Sequence, residues 1–194
     1  MSSLRSLSTG VFLFLVLAGN SSGQLNPFSA LGKVMTITMD IRTKDEVSAD
    51  TEIAAGASKR LLEDKKAEWS GVTVLVFAQH VVIAGAVKTA EAKKRVEEIV
   101  KRDRRIRSLA DELLVGDVGS LARDTALEAE INATLTAASG VASVNMRWCA
   151  TGGNVVLMGV AQSQREADIA LQKTRAIKGV RSVKPHLRVV SAKK

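Results

Sequence analysis

The sequence predicts an α+β protein of two tandem domains of one kind, each a helix-strand-strand-helix-strand sandwich with two helices on a three-stranded mixed sheet. The first observation is an internal repeat at a constant offset of 74 residues, which places Asp50 on Asp124 and Gly85 on Gly159. The second is that helical spacing and period-two spacing of apolar residues follow one another in the same order within both copies. The third is a composition of 46% hydrophobic and 25% charged residues, which is that of a globular chain.

The N-terminal residues predict a secretory signal peptide over residues 1–23. A basic Arg5 precedes the apolar run "GVFLFLVLAG", which is too short to span a bilayer comfortably, and cleavage is expected after Gly23. An uncleaved membrane anchor or a misassigned start is the alternative. The only cysteine is Cys149, so we expect neither an N-terminal lipid anchor nor an intrachain disulfide. Export argues against nucleic acid as the partner of a chain with net charge +8.

Residues 24–45 are expected to form a linker that leads into domain 1 (residues 46–116), which domain 2 (residues 120–190) follows. Each domain opens with an amphipathic helix, and Asp50 and Asp124 are expected to be the N-caps of these helices. The apolar positions of the two helices are Ile53, Ala57 and Leu61 in domain 1 and Leu127, Ile131 and Leu135 in domain 2.

A β-hairpin is predicted after each opening helix. The inward positions of its first strand are Val72, Val74 and Val76 in domain 1 and Met146, Trp148 and Ala150 in domain 2. The turns read "AQH", which contains His80, and "TGGN", and the return strands read "VVIAG" and "VVLMG". We expect Gly85 and Gly159 to end these return strands where the chain bends into the second helix.

A second amphipathic helix and a final strand complete each domain. The apolar stripe of this helix consists of Ala92, Val96, Ile99 and Val100 in domain 1 and of Ala167, Ala170, Leu171 and Thr174 in domain 2. The final strands read "IRSLADELLV" and "VRSVKPHLRVV". Pro185 within the second of them predicts a sheet edge or a bulge, because proline cannot donate to a ladder.

The motifs of domain 2 resemble the BON domain, a family named for osmotically induced periplasmic proteins and nodulation proteins. Its marks are an Asp-led helix, a V-x-L-x-G hairpin and a final "GVxxV" strand. They read here as Asp124, the run from Val155 to Gly159, and "GVRSV" beginning at Gly179. Domain 1 has Arg105 in place of the glycine that opens the last motif. The resemblance covers about residues 46–190.

This resemblance implies an exported, non-enzymatic protein that serves envelope integrity and osmotic or stress tolerance by binding anionic phospholipid or envelope proteins. It would lie in the periplasm, peripheral to a membrane, and would need no cofactor. A soluble periplasmic stress scaffold without membrane contact is the alternative.

The resemblance also implies a lipid-facing first helix in domain 2, where related proteins carry a tryptophan directly after the Asp-Thr pair. That position is Ala126 here, and Glu128 and Glu130 follow it. An interfacial aromatic is thus replaced by a methyl group beside two carboxylates, which an anionic surface repels.

Basic residues concentrate in the second half of domain 1 and predict a contact surface for anionic phospholipid or a protein partner. This basic surface consists of Lys93, Lys94, Lys101, Arg102, Arg104, Arg105 and Arg107. A second basic set occupies the equivalent half of domain 2 and consists of Arg175, Lys178, Arg181, Lys184 and Arg188. The alternative is a solvated helix face on which Glu and Lys support each other at helical spacing.

No acid, base and nucleophile can be assembled from the sequence, so we predict that the protein is not an enzyme and has no small-molecule substrate. Cys149 is expected to fill apolar space, and its separation from His80 and His186 argues against a metal site. Trp148 is expected in the core, whereas Trp69 is a candidate exposed contact.

Overall fold

The computed structural model describes residues 40–65, 70–118 and 120–190. The predicted signal peptide, most of the linker and Trp69 lie outside these described residues. Within them the chain forms two helix-strand-strand-helix-strand units in tandem, which confirms the predicted α+β fold class.

Domain 1 consists of α1 (Lys44–Glu63), β1 (Val72–Phe77), β2 (His80–Val87), α2 (Ala90–Val100), β3 (Ser108–Asp111) and β4 (Leu114–Val115). β1 pairs antiparallel with β2, and β3 and β4 both pair parallel with β2. The strand predicted as one piece is therefore split. Leu113, between the two pieces, is buried in the domain core, so the chain leaves the ladder there.

Domain 2 consists of α3 (Leu121–Ala137), a 3₁₀ turn (Ser143–Asn145), β5 (Met146–Thr151), β6 (Asn154–Ala161), α4 (Gln164–Arg175) and β7 (Ser182–Val189). The sheet has the order β5-β6-β7, with β5 antiparallel and β7 parallel to β6. β7 is an edge strand, as Pro185 predicted, because there its missing N–H interrupts no second ladder.

In each domain both helices pack on one face of the sheet and enclose a core. The predicted apolar stripes supply these cores, which confirms the helical and strand periodicities. The fully buried members include Ile53, Ala57, Val96, Ile99, Ile131, Leu135, Val155 and Ala170. Trp148 packs half-buried against the core of domain 2.

The prediction that Asp50 caps its helix is wrong. α1 begins earlier, at Lys44, where Thr43 and Glu46 form a reciprocal capping box. Asp50 lies inside the helix and is 4% exposed. Its two carboxylate oxygens accept hydrogen bonds from the backbone N–H groups of Ala78 and Gln79, each at 2.7 Å. The carboxylate therefore fixes the β1–β2 turn onto the helix.

Asp124 has the corresponding position in domain 2 and is not an N-cap either. Ser120 is the N-cap residue of α3, and Asp124 lies in the first turn of that helix. Its carboxylate accepts a hydrogen bond from the backbone N–H of Gly152 at 3.1 Å. In both domains the aspartate thus binds turn amides of the hairpin, which is a tertiary contact that helix-end rules do not describe.

Gly85 and Gly159 do not end their strands, contrary to the prediction. Both lie within the return strands β2 and β6, at φ +114° and +131°. A Cβ atom on Gly85 would lie 1.9 Å from the carbonyl oxygen of Gly71, and one on Gly159 would lie 2.1 Å from that of Asn145. These glycines allow the backbone preceding the first strand to approach the return strand. His80, expected in the turn, is the first residue of β2.

The two sheets bury their helix-free faces against each other. This interdomain core consists of Leu75, Phe77, Val82, Ala84, Cys149, Val156, Met158 and Val160. β1 contacts β5, while β2 contacts β5 and β1 contacts β6, so the contacts are reciprocal. Reciprocal contacts between like elements describe a pseudo-twofold relation between the domains.

Candidate functional site

The predicted basic surface occupies α2 and the segment between α2 and β3. Three of its seven cations are held by acidic partners. Lys93 Nζ donates to the carbonyl oxygen of Leu113 at 2.7 Å and lies 3.6 Å from Asp111, and Lys101 Nζ lies 2.5 Å from Glu97. The Lys101–Glu97 pair has helical spacing and supports the alternative of mutually supporting charges on a helix face, whereas Lys93 is held by residues outside the helix.

Arg105 is the third held cation. Its guanidinium donates to Asp103 at 2.9 and 2.8 Å and also pairs with Glu52 on α1. The hydrogen bonds from Arg105 lower the pKa of Asp103 to about 2, although its burial opposes this shift. Arg60 Nη2 lies 3.5 Å from Oδ2 of the same Asp103 carboxylate. The arginine that replaces the motif glycine therefore joins the end of α2 to α1.

The other four cations of the basic surface are exposed and, among the described residues, form no ion pair within 4.0 Å; they are Lys94, Arg102, Arg104 and Arg107. Arg102 and Arg104 lie between α2 and β3, where the chain has no regular secondary structure. The structure therefore divides the predicted surface into anchored cations and free ones.

Two of the cations of the second basic set face domain 1. In the β6–β7 register Lys184 lies beside Val156 and Arg188 beside Val160, and both valines belong to the interdomain core. Because neighbouring residues of paired strands point to the same side, Lys184 and Arg188 lie on the helix-free face.

Two clefts open between the domains beside this core. The larger has a volume of about 180 Å³ and is lined mainly by Phe77, His80, Val82, Ser108, Met158 and Arg188. The smaller, of about 60 Å³, is lined mainly by Gly85, Leu114, Thr151, Asn154, Val156 and Lys184. Each of these residues of the smaller cleft corresponds, at the 74-residue offset, to a residue that lines the larger cleft. The two clefts are therefore related by the pseudo-twofold axis, and each is called the pseudo-twofold mate of the other.

A bridge between the domains runs between these clefts. His186 Nε2 lies 2.9 Å from Glu112 Oε1. Glu112 lines the smaller cleft and His186 the larger. The bridge thus forms the boundary between two halves of one interdomain groove.

The last described residues of the linker, Asp40, Ile41 and Arg42, form a strap across the domain boundary. Arg42 donates to Asp40 at 2.7 Å and to Asp50 at 2.9 Å, and the backbone N–H of Ile41 donates to Asn145 Oδ1 of domain 2 at 3.1 Å. Burial alone would raise the pKa of Asp40, but its hydrogen bonds to Arg42 outweigh burial and lower it. The strap therefore binds both domains.

Phe77 lies under the strap, and two guanidinium groups lie over its ring. The Arg42 guanidinium carbon is 4.2 Å from the ring centroid and that of Arg147 is 5.5 Å away. Burial lowers the pKa of Arg147, and the charge of Arg42 lowers it further. Arg147 is held by the carbonyl oxygens of Val144 and Met146. A cation from each side of the boundary thus contacts the same aromatic ring.

Comparison with known proteins gives the family. The model of the BON domain matches residues 49–117 and 123–191, one match for each structural unit. The chain belongs to the BON-domain family. It carries two BON domains in tandem, as the motifs of domain 2 predicted.

Two relatives are similar to this chain over most of its length. An uncharacterized protein in the gshII 5' region of Anaplasma centrale is 30% identical over 129 residues, covering 64% of this chain and 85% of the relative. Osmotically-inducible protein Y of Escherichia coli (strain K12) is 29% identical over 144 residues and covers 72% of both chains.

Solved structures of CdsD, a structural protein of the type III secretion system of Chlamydia trachomatis, are also similar. The first is 17% identical with a TM-score of 0.32, covering 74% of this chain and 64% of that one, so this chain spans less than two thirds of it. The second, its C-terminal domain, is 18% identical with a TM-score of 0.30, covering 73% of this chain and 67% of that one.

The helix that the family implies as lipid-facing is α3 of the second BON domain. Ala126 and Glu130 are exposed on it, and Leu121 at its start is 78% exposed. Glu128 was expected to be a carboxylate on the surface, but it is partly buried. It accepts a hydrogen bond from the backbone N–H of Ala150 at 2.8 Å, and burial raises its pKa. One carboxylate, not two, therefore faces outward on this helix.

Cys149 of the second BON domain lies in the interdomain core and is 5% exposed, which fits the expected apolar filler. Burial raises the pKa of its thiol to about 11, so the nucleophilic thiolate is scarce at neutral pH. In the described ranges no three His, Cys, Asp or Glu side chains are grouped as metal ligands would be. The described helices also include none long and apolar enough to cross a membrane.

The interdomain core and the strap were missed in the sequence. The signal for the core was present, because Leu75 and Phe77 make β1 apolar on its second face as well, which indicates a strand buried on both sides. The strap has no such signal. Asp40 and Arg42 read as ordinary linker charges until the fold brings Asp50 and Phe77 beside them.

Proposed function

We propose that this chain is an exported, non-enzymatic envelope protein of osmotic or stress tolerance whose BON domains associate with anionic phospholipid. The carrying observation is that four cations of the basic surface, Lys94, Arg102, Arg104 and Arg107, are exposed and without an ion pair in the described part of the chain. The similarity to Osmotically-inducible protein Y supports the stress role. An envelope protein with an acidic surface is the other partner that such cations suit.

Electrostatics sets the expected strength of this association. A basic residue near an anionic membrane contributes about 1 kcal/mol, so three or four free cations give reversible, salt-sensitive binding. The anchored cations contribute less, because Glu97 and Asp103 already neutralise Lys101 and Arg105. The protein would therefore be peripheral to a membrane in the periplasm.

Vesicle co-sedimentation tests this proposal. The test variant is K94E/R102E/R104E, and the matched control is K173E/R175E/K178E, which makes the same charge change on exposed residues of the second BON domain. We expect wild type and control to sediment with anionic vesicles at low salt and to be released by moderate salt, while the test variant stays in solution. Unchanged sedimentation of the test variant would refute the basic surface as the contact.

A soluble periplasmic stress scaffold is the second candidate function. Ala126 and Glu130 favour it, because both are exposed on the helix where related proteins carry an interfacial aromatic. Cell fractionation with a high-salt wash separates the two. Release from the membrane fraction by salt supports the electrostatic contact, and a wholly soluble pool supports the scaffold.

A further inference from the structure

The larger interdomain cleft gathers positive charge from both domains. His80 and Arg188 line it, and Arg107 precedes the lining residue Ser108. The positive charge is that of Arg188 and Arg107, which repel each other and disfavour a proton on His80, so His80 lines the cleft as a neutral imidazole. Burial and the charges of Arg188 and Arg107 lower the pKa of His80, and burial and Arg107 lower that of Arg188.

The carboxylates around this cleft are already engaged. Asp50 accepts from Arg42 and from two turn amides, Glu46 accepts from the N–H and hydroxyl of Thr43, and Glu112 pairs with His186. Arg188 has no ion pair within 4.0 Å among the described residues, although Glu46 attracts it at longer range. An anion in the cleft would relieve this uncompensated charge.

Neutral donors and apolar surface complete the cleft. His80 Nδ1 and Ser108 Oγ are 2.5 Å apart, which fixes the imidazole ring at the cleft wall. Phe77, Val82 and Met158 line the other side and belong to the interdomain core. At about 180 Å³ the cleft is smaller than the pockets that take drug-sized ligands, which begin near about 300 Å³.

The pseudo-twofold mate shows that these features are particular to one cleft. Asn154 takes the place of His80 there, and Leu114 takes the place of Arg188. Arg181 precedes Ser182 of the mate as Arg107 precedes Ser108, but the lining cation of the mate is Lys184, at the position of Ala110, and its volume is about a third. The same backbone thus presents two clefts, and only the larger has an arginine, an imidazole and an aromatic ring in its lining.

We propose that the larger interdomain cleft is a binding site for a small phosphate ester, with the phosphate at Arg188, His80 and Ser108 and the ester carbons against Phe77 and Met158. Arginine and imidazole donors suit the phosphate oxygens, and the apolar floor favours an ester over inorganic phosphate. A free metabolite or the headgroup of a lipid could supply this ester chemistry. The site does not rest on the membrane association proposed above.

The pseudo-symmetry provides the test variants. R188L and H80N place in the larger cleft the residues that the fold accepts at the mate positions Leu114 and Asn154. K184A is the matched control, because it also removes one positive charge from the same face of β7 and introduces the residue at the mate position, Ala110. The native fold of each variant is checked by its amide spectrum.

The probes are inorganic phosphate and butyl phosphate in solution and vesicles that contain phosphatidic acid, followed by amide and imidazole NMR shifts. We expect saturable binding of butyl phosphate, tighter than that of inorganic phosphate, with shifts at His80, Ser108 and Arg188. Binding should weaken about tenfold or more in R188L and measurably in H80N, since a charge-assisted hydrogen bond is lost, and should be unchanged in K184A.

Three outcomes would overturn the site: no saturable shift with butyl phosphate or with phosphatidic acid vesicles, equal weakening in R188L and K184A, or shifts confined to the basic surface. In the last case the membrane association stands and the cleft site fails. If the cleft resonances respond to the soluble ester alone, the site takes a free ester. If they respond to the vesicles, it takes a lipid headgroup.

Discussion

His186 Nε2 lies 2.9 Å from Glu112 Oε1, and the two residues are 74 apart in the chain, which is the offset that relates the two BON domains. A residue that contacts its own repeat partner lies on the pseudo-twofold axis. At this position the first domain has an acidic residue and the second has a histidine. A dimer of two first domains would instead place Glu112 against Glu112. The like charges would repel, so this position favours pairing of unlike copies within one chain over pairing of identical ones.

Asp50 and Asp124 occupy equivalent positions but should differ in their effect on stability. Asp50 accepts two turn N–H groups and Arg42 and is 4% exposed, whereas the described bond of Asp124 is to one N–H and it is half-exposed. Asp50→Ala should cost about 3–5 kcal/mol, because it leaves two turn amides and one N–H group of the buried Arg42 guanidinium without an acceptor, although Arg42 keeps its pair with Asp40. Asp124→Ala should cost about 1 kcal/mol. Urea unfolding of both variants measures this, and equal losses would contradict it.

Gly85 and Gly159 should be the glycines least tolerant of a side chain. Both combine a positive φ with a backbone oxygen within 2.1 Å of the added Cβ. Alanine at either should destabilise the fold by more than about 3 kcal/mol, since backbone atoms must move. Gly179→Ala is the control, because Gly179 also has a positive φ but nothing within 4 Å of a Cβ. If the control loses as much stability in thermal unfolding, backbone conformation and not close approach explains the effect.

Local patterns predicted most of the fold because they report which face of each element is apolar. Ile53, Val96, Ile131 and Ala170 were all placed correctly by spacing alone. Asp50 was placed in the right helix with the wrong role, since a buried carboxylate that binds a distant turn has the same local sequence as a cap.

The candidate site depends on tertiary contacts that local sequence patterns do not predict. Lys101 and Arg102 are adjacent basic residues, yet one pairs with Glu97 and the other is free within the described chain. His80 and Arg188 lie more than a domain apart in the chain, and only the pseudo-twofold packing brings them to one cleft. The sequence therefore predicts the charge of these surfaces and not their division into bound and free groups.

Asp103 should make the free energy of unfolding depend on pH in the acid range. Its folded pKa of about 2 is depressed from the ordinary 3.8 by hydrogen bonds from Arg105. A depressed pKa means that the unfolded state takes up the proton first. Its contribution is therefore present above pH 4 and is lost as the pH falls from about 4 to about 2. We expect a loss of about 1–2 kcal/mol from this group. Arg105→Ala should reduce that part of the acid dependence of urea midpoints, and an unchanged profile would rule the pair out as its source.

The strap should control access to the interdomain core, and Cys149 reports it because it is the only cysteine of the chain. The thiol is 5% exposed, and burial raises its pKa to about 11, so labelling by a thiol reagent requires opening of the domain boundary. Arg42→Ala removes the hydrogen bonds to Asp40 and Asp50 and the contact with Phe77, which should favour the open form. We expect faster labelling of Cys149 at neutral pH in this variant.

Arg42→Lys separates the charge of the strap from its geometry. Lysine keeps a cation near Asp50 but loses the paired hydrogen bonds to Asp40 and the contact of the guanidinium group with the Phe77 ring. The labelling rate should therefore lie between that of wild type and that of Arg42→Ala. Lys59→Ala is the control, because Lys59 forms an exposed pair with Glu63 on α1. A rate in Arg42→Ala no faster than in this control would show that the interdomain core stays closed without the strap, and that the sheet contacts alone hold the two BON domains together.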